Sequence, residues 1–310
     1  MDSILLFIGF FIEVRIISTI KIMTNTILKL SDELPLTCSR SGNCCHGNKV
    51  LLNPWELACL ASEKKISTRE FRDLYTEWSG VRLLFNGAVG YKGKLACSQY
   101  TNGTGCSVHA ARPLACRLFP MGRQIQNGET VYMHQGEVFP CLEGCDEVLN
   151  LPYLTVNKYL FEQQTERWEV AQNAYLELLQ LLADIAFELL LDSGLAESDN
   201  KTTLQQWRLM ANESSAQLAK RIDQKWLENL IIPNLAHDSL QPEVFCKQHA
   251  ILLQEQLQAS FGNAQTFEEL HKASVLVMAL ALQLSISIGA EPRLLVSYWV
   301  DIAKNNGAQE

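Results

Sequence analysis

Cysteines concentrated in one segment are the residues of this chain with the clearest capacity for chemistry. Of the ten cysteines in 310 residues, nine lie from Cys38 to Cys145, and all of these except Cys59 are candidate ligands. Thiolate is a soft ligand that suits zinc and iron–sulfur clusters, so the segment predicts a zinc or iron–sulfur cofactor. The candidate ligands are Cys38, Cys44, Cys45, Cys97, Cys106, Cys116, Cys141 and Cys145.

The spacing of these cysteines limits the kind of site. Only Cys141 and Cys145 have the short separation that is usual in structural zinc sites. Side chains of adjacent residues diverge by about 100° on a helix and point to opposite faces of a strand. We therefore expect Cys44 and Cys45 to serve two neighbouring centres, or two irons of one cluster.

Thiolates bound to one divalent ion leave net negative charge, which nearby cations should offset. Arg112 and Arg117 flank Cys116 closely, and we expect them to donate hydrogen bonds to sulfur or backbone around the site. Three further cations near the cysteines fit either that role or an ordinary solvated surface: Arg40, Lys49 and Arg123.

Two sequence blocks resemble the signatures of a known family. CSRSGNCC (38–45) and CSVHAARPLACRLFP (106–120) are similar to the CxxCxxCC cysteine-cluster proteins, the YkgJ-like zinc- or iron-chelating family. That family has C-x2-C-x2-C-C, a further cysteine, C-x-I-Y-x-x-R-P-x-x-C-R-x-F and a last cysteine. The resemblance covers about a third of the chain and implies metal or cluster binding. The matching positions are Cys38, Cys44, Cys45, Cys97, Cys106, Arg112, Pro113, Cys116, Arg117, Phe119 and Cys141.

Two positions depart from the family pattern. Ser41 stands where the second cysteine belongs, and His109 replaces the tyrosine. The missing coordination position is then lost, filled by water, or supplied by Cys145, His46 or His134. We expect His109 to pack or to hydrogen-bond rather than to ligate.

Three functions remain open at this point. We favour a cytoplasmic metal-binding protein whose helical region binds a protein partner or oligomerises. A chain without a clear export signal meets a reducing environment, and clustered cysteines seldom form disulfides there. Zinc that only holds the fold together is a second hypothesis. Some family members are similar to flagellin lysine N-methylases, which implies S-adenosylmethionine as cofactor, but Gly87, Gly90 and Gly93 do not form a G-x-G-x-x-G turn.

Composition excludes other classes of partner. The formal net charge of −8 argues against nucleic acid, whose binding needs an excess of Lys and Arg. The apolar run 4–12 is followed by Glu13 and Arg15, so it has about half of the ~20 residues that span a membrane. We interpret 1–30 as a leader, with Met23 as an alternative start.

Patterning predicts a mainly α protein in two further parts. A small, loop-rich cysteine-cluster domain occupies 31–150, with helices at 54–63 and 68–78 and strands at 90–97 and 130–134. An α-helical bundle domain occupies 151–310. Its apolar spacing predicts one helix through Tyr175 to Leu189 and others at 203–231, 243–261, 266–288 and 292–303. We expect the remaining cysteines and the tryptophans of this half to be buried: Cys59, Cys246, Trp168, Trp207, Trp226 and Trp299.

Overall fold

The structure is a computed structural model, and it describes residues 26–35, 42–126, 128–134, 153–191, 200–235 and 239–308. Several predictions from the sequence fall outside these ranges. They concern most of the leader and the residues Cys38, Arg40, Ser41, Cys141 and Cys145.

Short strands build four small antiparallel sheets. Three strands form the largest sheet, in the order β1-β8-β7, with Thr26 and Met121 both opposite His134. The other sheets pair β2 with β9, β3 with β4, and β5 with β6. The strands are β1 (Thr26–Leu28), β2 (Glu33–Leu34), β3 (Thr76–Glu77), β4 (Arg82–Leu83), β5 (Tyr100–Thr101), β6 (Gly105–Cys106), β7 (Met121–Gln126), β8 (Glu129–His134) and β9 (Leu154–Thr155).

Three short helices accompany these strands: α1 (Pro54–Lys64), α2 (Thr68–Tyr75) and α3 (Leu114–Leu118). The first begins with a capping box, in which Asn53 and Glu56 exchange hydrogen bonds between side chain and backbone. The second is capped by Ser67 and ends three residues before the predicted limit at Trp78. Helices α1 and α2 and the strand at 130–134 are thus confirmed within a few residues.

The strand predicted at 90–97 is wrong. A 3₁₀ turn occupies Tyr91–Gly93, and pairing on either side of it is limited to isolated bridges, such as that between His46 and Ala96. Lys92 and Gly93 both adopt positive φ, of 52° and 69°. A strand cannot continue through such residues, because left-handed backbone breaks the extended ladder.

Helices dominate the second half, which confirms the mainly α fold class. They are α4 (Val156–Glu162), α5 (Glu166–Leu190), α6 (Asn200–Ala211), α7 (Ser215–Arg221), α8 (Gln224–Ile231), α9 (Pro242–Phe261), α10 (Phe267–Ser287) and α11 (Pro292–Asn305). The single helix predicted at 203–231 is wrong: α6, α7 and α8 occupy it. Ser214 and Asp223 accept hydrogen bonds from the N–H groups of Gln217 and Trp226, and so start new helices.

Helix α10 is the centre of the helical half, where it packs against α5, α6 and α7. Of the described residues, only Phe267–Ser287 is long and apolar enough to cross a membrane. However, 72% of its most apolar window is buried within the fold. Its composition is therefore explained by packing in the core.

The hydrophobic core is continuous across both halves of the chain. Trp55 of α1 meets Trp168 of α5 at a ring-centroid separation of 5.3 Å, and its indole N–H donates to the Leu240 carbonyl at 3.1 Å. Burial of Cys59, Cys246 and the four tryptophans of the helical half is confirmed. Residues far apart in sequence are thus available to line one site.

Candidate metal centre

Five of the eight candidate ligands line one cavity of about 640 Å³. They come from four places along the chain and are Cys44, Cys45, Cys97, Cys106 and Cys116. Cys59 and Cys246 do not line it. The structure therefore places five candidate cysteines around one cavity, and their role as ligands stays a prediction.

A tight turn positions Cys44 and Cys45. The 3₁₀ turn Asn43–Cys45 follows Gly42, whose φ of 78° is in the left-handed region. A β-carbon on Gly42 would lie 2.3 Å from Cε2 of Tyr100, so only glycine fits there. The two thiols share a hydrogen bond and both residues line the cavity. Their assignment to two neighbouring centres, or to two irons of one cluster, stays a prediction.

The other three thiols are placed by backbone pairing and a helix. The N–H of Cys97 donates to the Cys45 carbonyl at 2.7 Å, which fixes one segment against the other. Cys106 lies in β6, where it pairs with Tyr100 of β5. Cys116 lies in the middle of α3.

The Glu56 side chain fixes the start of α3, and the cysteine pattern did not point to this residue. One carboxylate oxygen accepts from the Leu114 N–H at 2.7 Å and the other from the Asn53 N–H at 3.1 Å. Burial raises the pKa of Glu56 to about 7, against the opposing effects of these hydrogen bonds and of Arg117. The Asn-Pro-x-Glu sequence at the start of α1 predicts the capping box, but it does not predict the contact of Glu56 with α3.

The thiols influence each other electrostatically. Burial raises the pKa of Cys116 well above its ordinary value, and the nearby thiols of Cys44, Cys97 and Cys106 act in the same direction. The hydrogen bond from Cys45 lowers the pKa of Cys44, and Arg112 acts in the same direction. Cys44 is thus the thiol whose thiolate form the surroundings favour, whereas the pKa values of Cys45, Cys97 and Cys116 are raised.

Arg112 and Arg117 stabilise the backbone and side chains around the cluster. Arg112 lines the cavity and contacts the His109 ring nitrogens at 2.9 and 3.0 Å, which confirms that His109 hydrogen-bonds. Arg117 donates to the carbonyls of Arg112, at 2.9 Å, and Gln163, at 2.6 Å. Its guanidinium lies 3.4 Å from the centroid of the Trp168 ring. The expected hydrogen bonding of Arg117 to backbone is confirmed.

Two histidines considered as replacement ligands lie elsewhere. His46 is buried, with Nδ1 at 2.9 Å from the Gly42 carbonyl and its ring against Tyr100. His134 lies in β8, where it pairs with two strands. Neither lines the cavity, whereas Lys49 and Arg123 do.

The donor chemistry of the cluster fits a soft metal, since thiols lie together beside the cation of Arg112. Among the described residues, however, no three His, Cys, Asp or Glu side chains are already arranged to hold an ion. Three candidate ligands, Cys38, Cys141 and Cys145, lie outside those residues. The five described thiols are therefore only part of the predicted ligand set.

Comparison with known proteins agrees with this chemistry. No curated protein and no solved structure matches the chain. A family model does match about a third of it. Residues 37–135, which contain all five cavity cysteines, match the CxxCxxCC family, whose description is "Putative zinc- or iron-chelating domain".

Proposed function

We propose that the cysteine cluster binds zinc or an iron–sulfur cluster. The observation that carries this proposal is that five thiols from four places along the chain line one cavity, and that all five lie in the segment that matches the CxxCxxCC family. The proposed ligands are Cys44, Cys45, Cys97, Cys106 and Cys116, completed by some or all of Cys38, Cys141 and Cys145.

Residues around the thiols prepare them for this role. A bound metal would neutralise the thiolates and cross-link the segments that carry them. Arg112 favours the thiolate of Cys44, and Glu56 fixes the start of the helix that carries Cys116. The turn at Gly42 brings Cys44 and Cys45 to the same side of the backbone.

For the helical half we propose a role in binding a protein partner or in oligomerisation. Support comes from apolar side chains that remain exposed on two helices that pack together, α6 and α11: Leu209, Leu294 and Tyr298. A metal-binding role for these thiols would fit a reducing compartment such as the cytoplasm, where cysteines seldom form disulfides.

Elemental analysis and an optical spectrum of anaerobically purified protein test the metal proposal. We expect near-stoichiometric zinc or iron, and an absorbance in the visible range only if the centre is iron–sulfur. Folded protein that contains no metal and has the cluster thiols paired as disulfides would refute the proposal.

Alanine substitutions test the ligand assignment. Replacing Cys44, Cys45, Cys106 or Cys116 should lower metal content and destabilise the first half, because binding energy at such sites is largely folding energy. Cys59→Ala and Cys246→Ala are matched controls, since both cysteines are buried but lie outside the cavity. They should keep the metal and lose about 1–2 kcal/mol of stability from packing. Equal metal loss in both groups would show that the assignment is wrong.

A further inference from the structure

The cavity beside the cysteines is much larger than a metal ion requires. Its volume of about 640 Å³ falls within the range of roughly 300–1,000 Å³ that is typical of pockets for organic ligands. Thiols account for only a small part of its lining. The other lining residues therefore indicate which kind of organic ligand the cavity could bind.

Much of that lining is apolar and comes from both halves of the chain. The strands β7 and β8 contribute Met121, Ile125 and Met133. The turn between α10 and α11 contributes Ile288 and Ala290. Such walls favour a ligand with an apolar body, because its transfer from water is favourable in proportion to the area covered.

Arg123 adds a cation to these walls. Its Nη2 donates to Asn173 Oδ1 at 2.6 Å and to Thr130 Oγ1 at 3.1 Å. The guanidinium also interacts with Tyr132 and Glu169, and its buried Nε has no hydrogen-bond partner among the described residues. Burial also lowers the pKa of Arg123, as expected for a guanidinium removed from water.

Other charges along the cavity favour an anion over a cation. Lys49 and Arg112 line it with Arg123, whereas the acidic residues in the described lining are Glu56 and Glu291. Both carboxylate oxygens of Glu56 already accept backbone N–H groups. A guanidinium pairs well with a carboxylate, since its planar donors match the two oxygens.

We propose that this cavity binds an apolar organic carboxylate beside the cysteine cluster, with Arg123 contacting the carboxylate group. The apolar body of the ligand would lie against the strand and turn residues named above. This inference goes beyond metal binding and does not depend on which metal is present.

Calorimetric titration of the full-length, metal-containing protein with octanoate tests the proposal. We expect saturable binding of one octanoate per chain. Octanol and octylamine serve as probes of the same length, and each should bind at least about tenfold more weakly, because neither can pair with the guanidinium. Absence of saturable octanoate binding at millimolar concentration, or equal affinity for all three probes, would overturn the proposal.

Substitutions locate the binding site. Arg123→Met should weaken octanoate binding about tenfold or more, and Ala290→Phe should abolish it by filling the cavity. Arg208→Met is the matched control, since Arg208 is exposed on α6 and does not line the cavity; it should leave affinity unchanged.

Metal content and circular dichroism are measured for each variant, so that failure of the metal centre is distinguished from failure of this proposal. If Arg123→Met does not fold, Arg123→Lys replaces it, and affinity should still fall because a single ammonium lacks the paired donors. Unchanged octanoate affinity in the folded Arg123 variant or in Ala290→Phe would refute the assigned site.

Discussion

Glu56 shows how one buried side chain positions a reactive residue without touching it. Its carboxylate closes the capping box of α1 and also accepts the first N–H of α3, the helix that carries Cys116. Helix α3 has only five residues, and its residue before the first turn, Pro113, makes no side-chain cap. The orientation of Cys116 therefore depends on a residue sixty positions earlier in the chain.

Replacing Glu56 with Gln should destabilise the protein and reduce its metal content. The amide group of Gln cannot accept from both N–H groups, so one buried donor loses its partner at a cost of about 1–3 kcal/mol. Urea denaturation and elemental analysis would measure the two effects. Glu269→Gln is the control, because Glu269 closes the exposed capping box of α10 alone. Full metal content in Glu56→Gln would show that Cys116 does not depend on this contact.

His249 should make stability depend on pH. It is buried, with Nε2 at 2.9 Å from the Asn229 carbonyl and Nδ1 at 3.0 Å from the Tyr175 hydroxyl, and burial lowers its pKa from 6.5 to about 4. Between these values the unfolded chain binds more protons than the folded one, so the free energy of unfolding falls as pH decreases. From pH 7 to 5 this group should remove about 2 kcal/mol.

His249→Gln provides the comparison for that effect. Glutamine does not titrate, so the variant should show a shallower loss of stability between pH 7 and 5 in urea denaturation series. Other groups titrate equally in both proteins and cancel in the difference. Identical slopes for wild type and variant would contradict a neutral, buried His249.

At the scale of elements, the turn between β3 and β4 brings the two halves of the chain into contact. Trp78, Ser79 and Gly80 all adopt positive φ, which is rare for residues other than glycine. A β-carbon on Gly80 would lie 2.6 Å from Cγ2 of Ile231, in α8 of the helical half. The close approach of these elements thus requires glycine at this position.

Gly80→Ala should destabilise the protein by about 3 kcal/mol or more, because backbone strain and overpacking add together. Gly93→Ala is a matched control: Gly93 also has positive φ, of 69°, but a β-carbon there would meet no atom within 4 Å. That variant should lose only about 1 kcal/mol. Thermal denaturation of both would measure the difference, and equal losses would mean that contact with Ile231 contributes nothing.

The elements differ in how far the sequence could predict them. Long apolar patterns predicted α9 and α10 within one or two residues, since periodicity over many turns is unambiguous. The helix starts at Ser214 and Asp223 were not predicted, although both are good N-cap residues, because an apolar pattern continues across them. The pairing of β1 with β8 connects residues more than a hundred positions apart, and no local signal specifies it.

At the scale of the whole molecule, the sequence indicated which cysteines to consider but not the cavity that they line. Residue type and spacing singled out five cysteines that line it, because clustered thiols are rare by chance, and their role as ligands stays a prediction. The proximity of Cys44 to Cys45 depends on a turn, and the cavity depends on α10 and α11, which pack there from the far end of the chain. Such contacts are tertiary and leave no mark in the local sequence.

The cavity also bears on the methyl-transfer hypothesis. We expect that S-adenosylmethionine does not bind with micromolar affinity, which would require about −8 kcal/mol. The sequence offers no glycine-rich cofactor turn, and Lys49, Arg112 and Arg123 around the cavity disfavour a sulfonium cation. Calorimetry with the purified protein would measure this. Saturable binding, with labelled methyl appearing on a lysine of another protein, would favour the enzyme instead.

Pairing of β2 with β9 has a consequence for how the proposed centre would take up a metal. Glu33 and Leu34 lie opposite Thr155 and Leu154, so the sheet closes a loop that contains all eight candidate ligands. Joining the ends of a loop of that length costs on the order of 4 kcal/mol in chain entropy. Since strand pairing and the continuous core meet this cost during folding, a metal ion at the proposed centre would not have to close the loop, and its binding energy would go to ordering and stabilising the segments inside it.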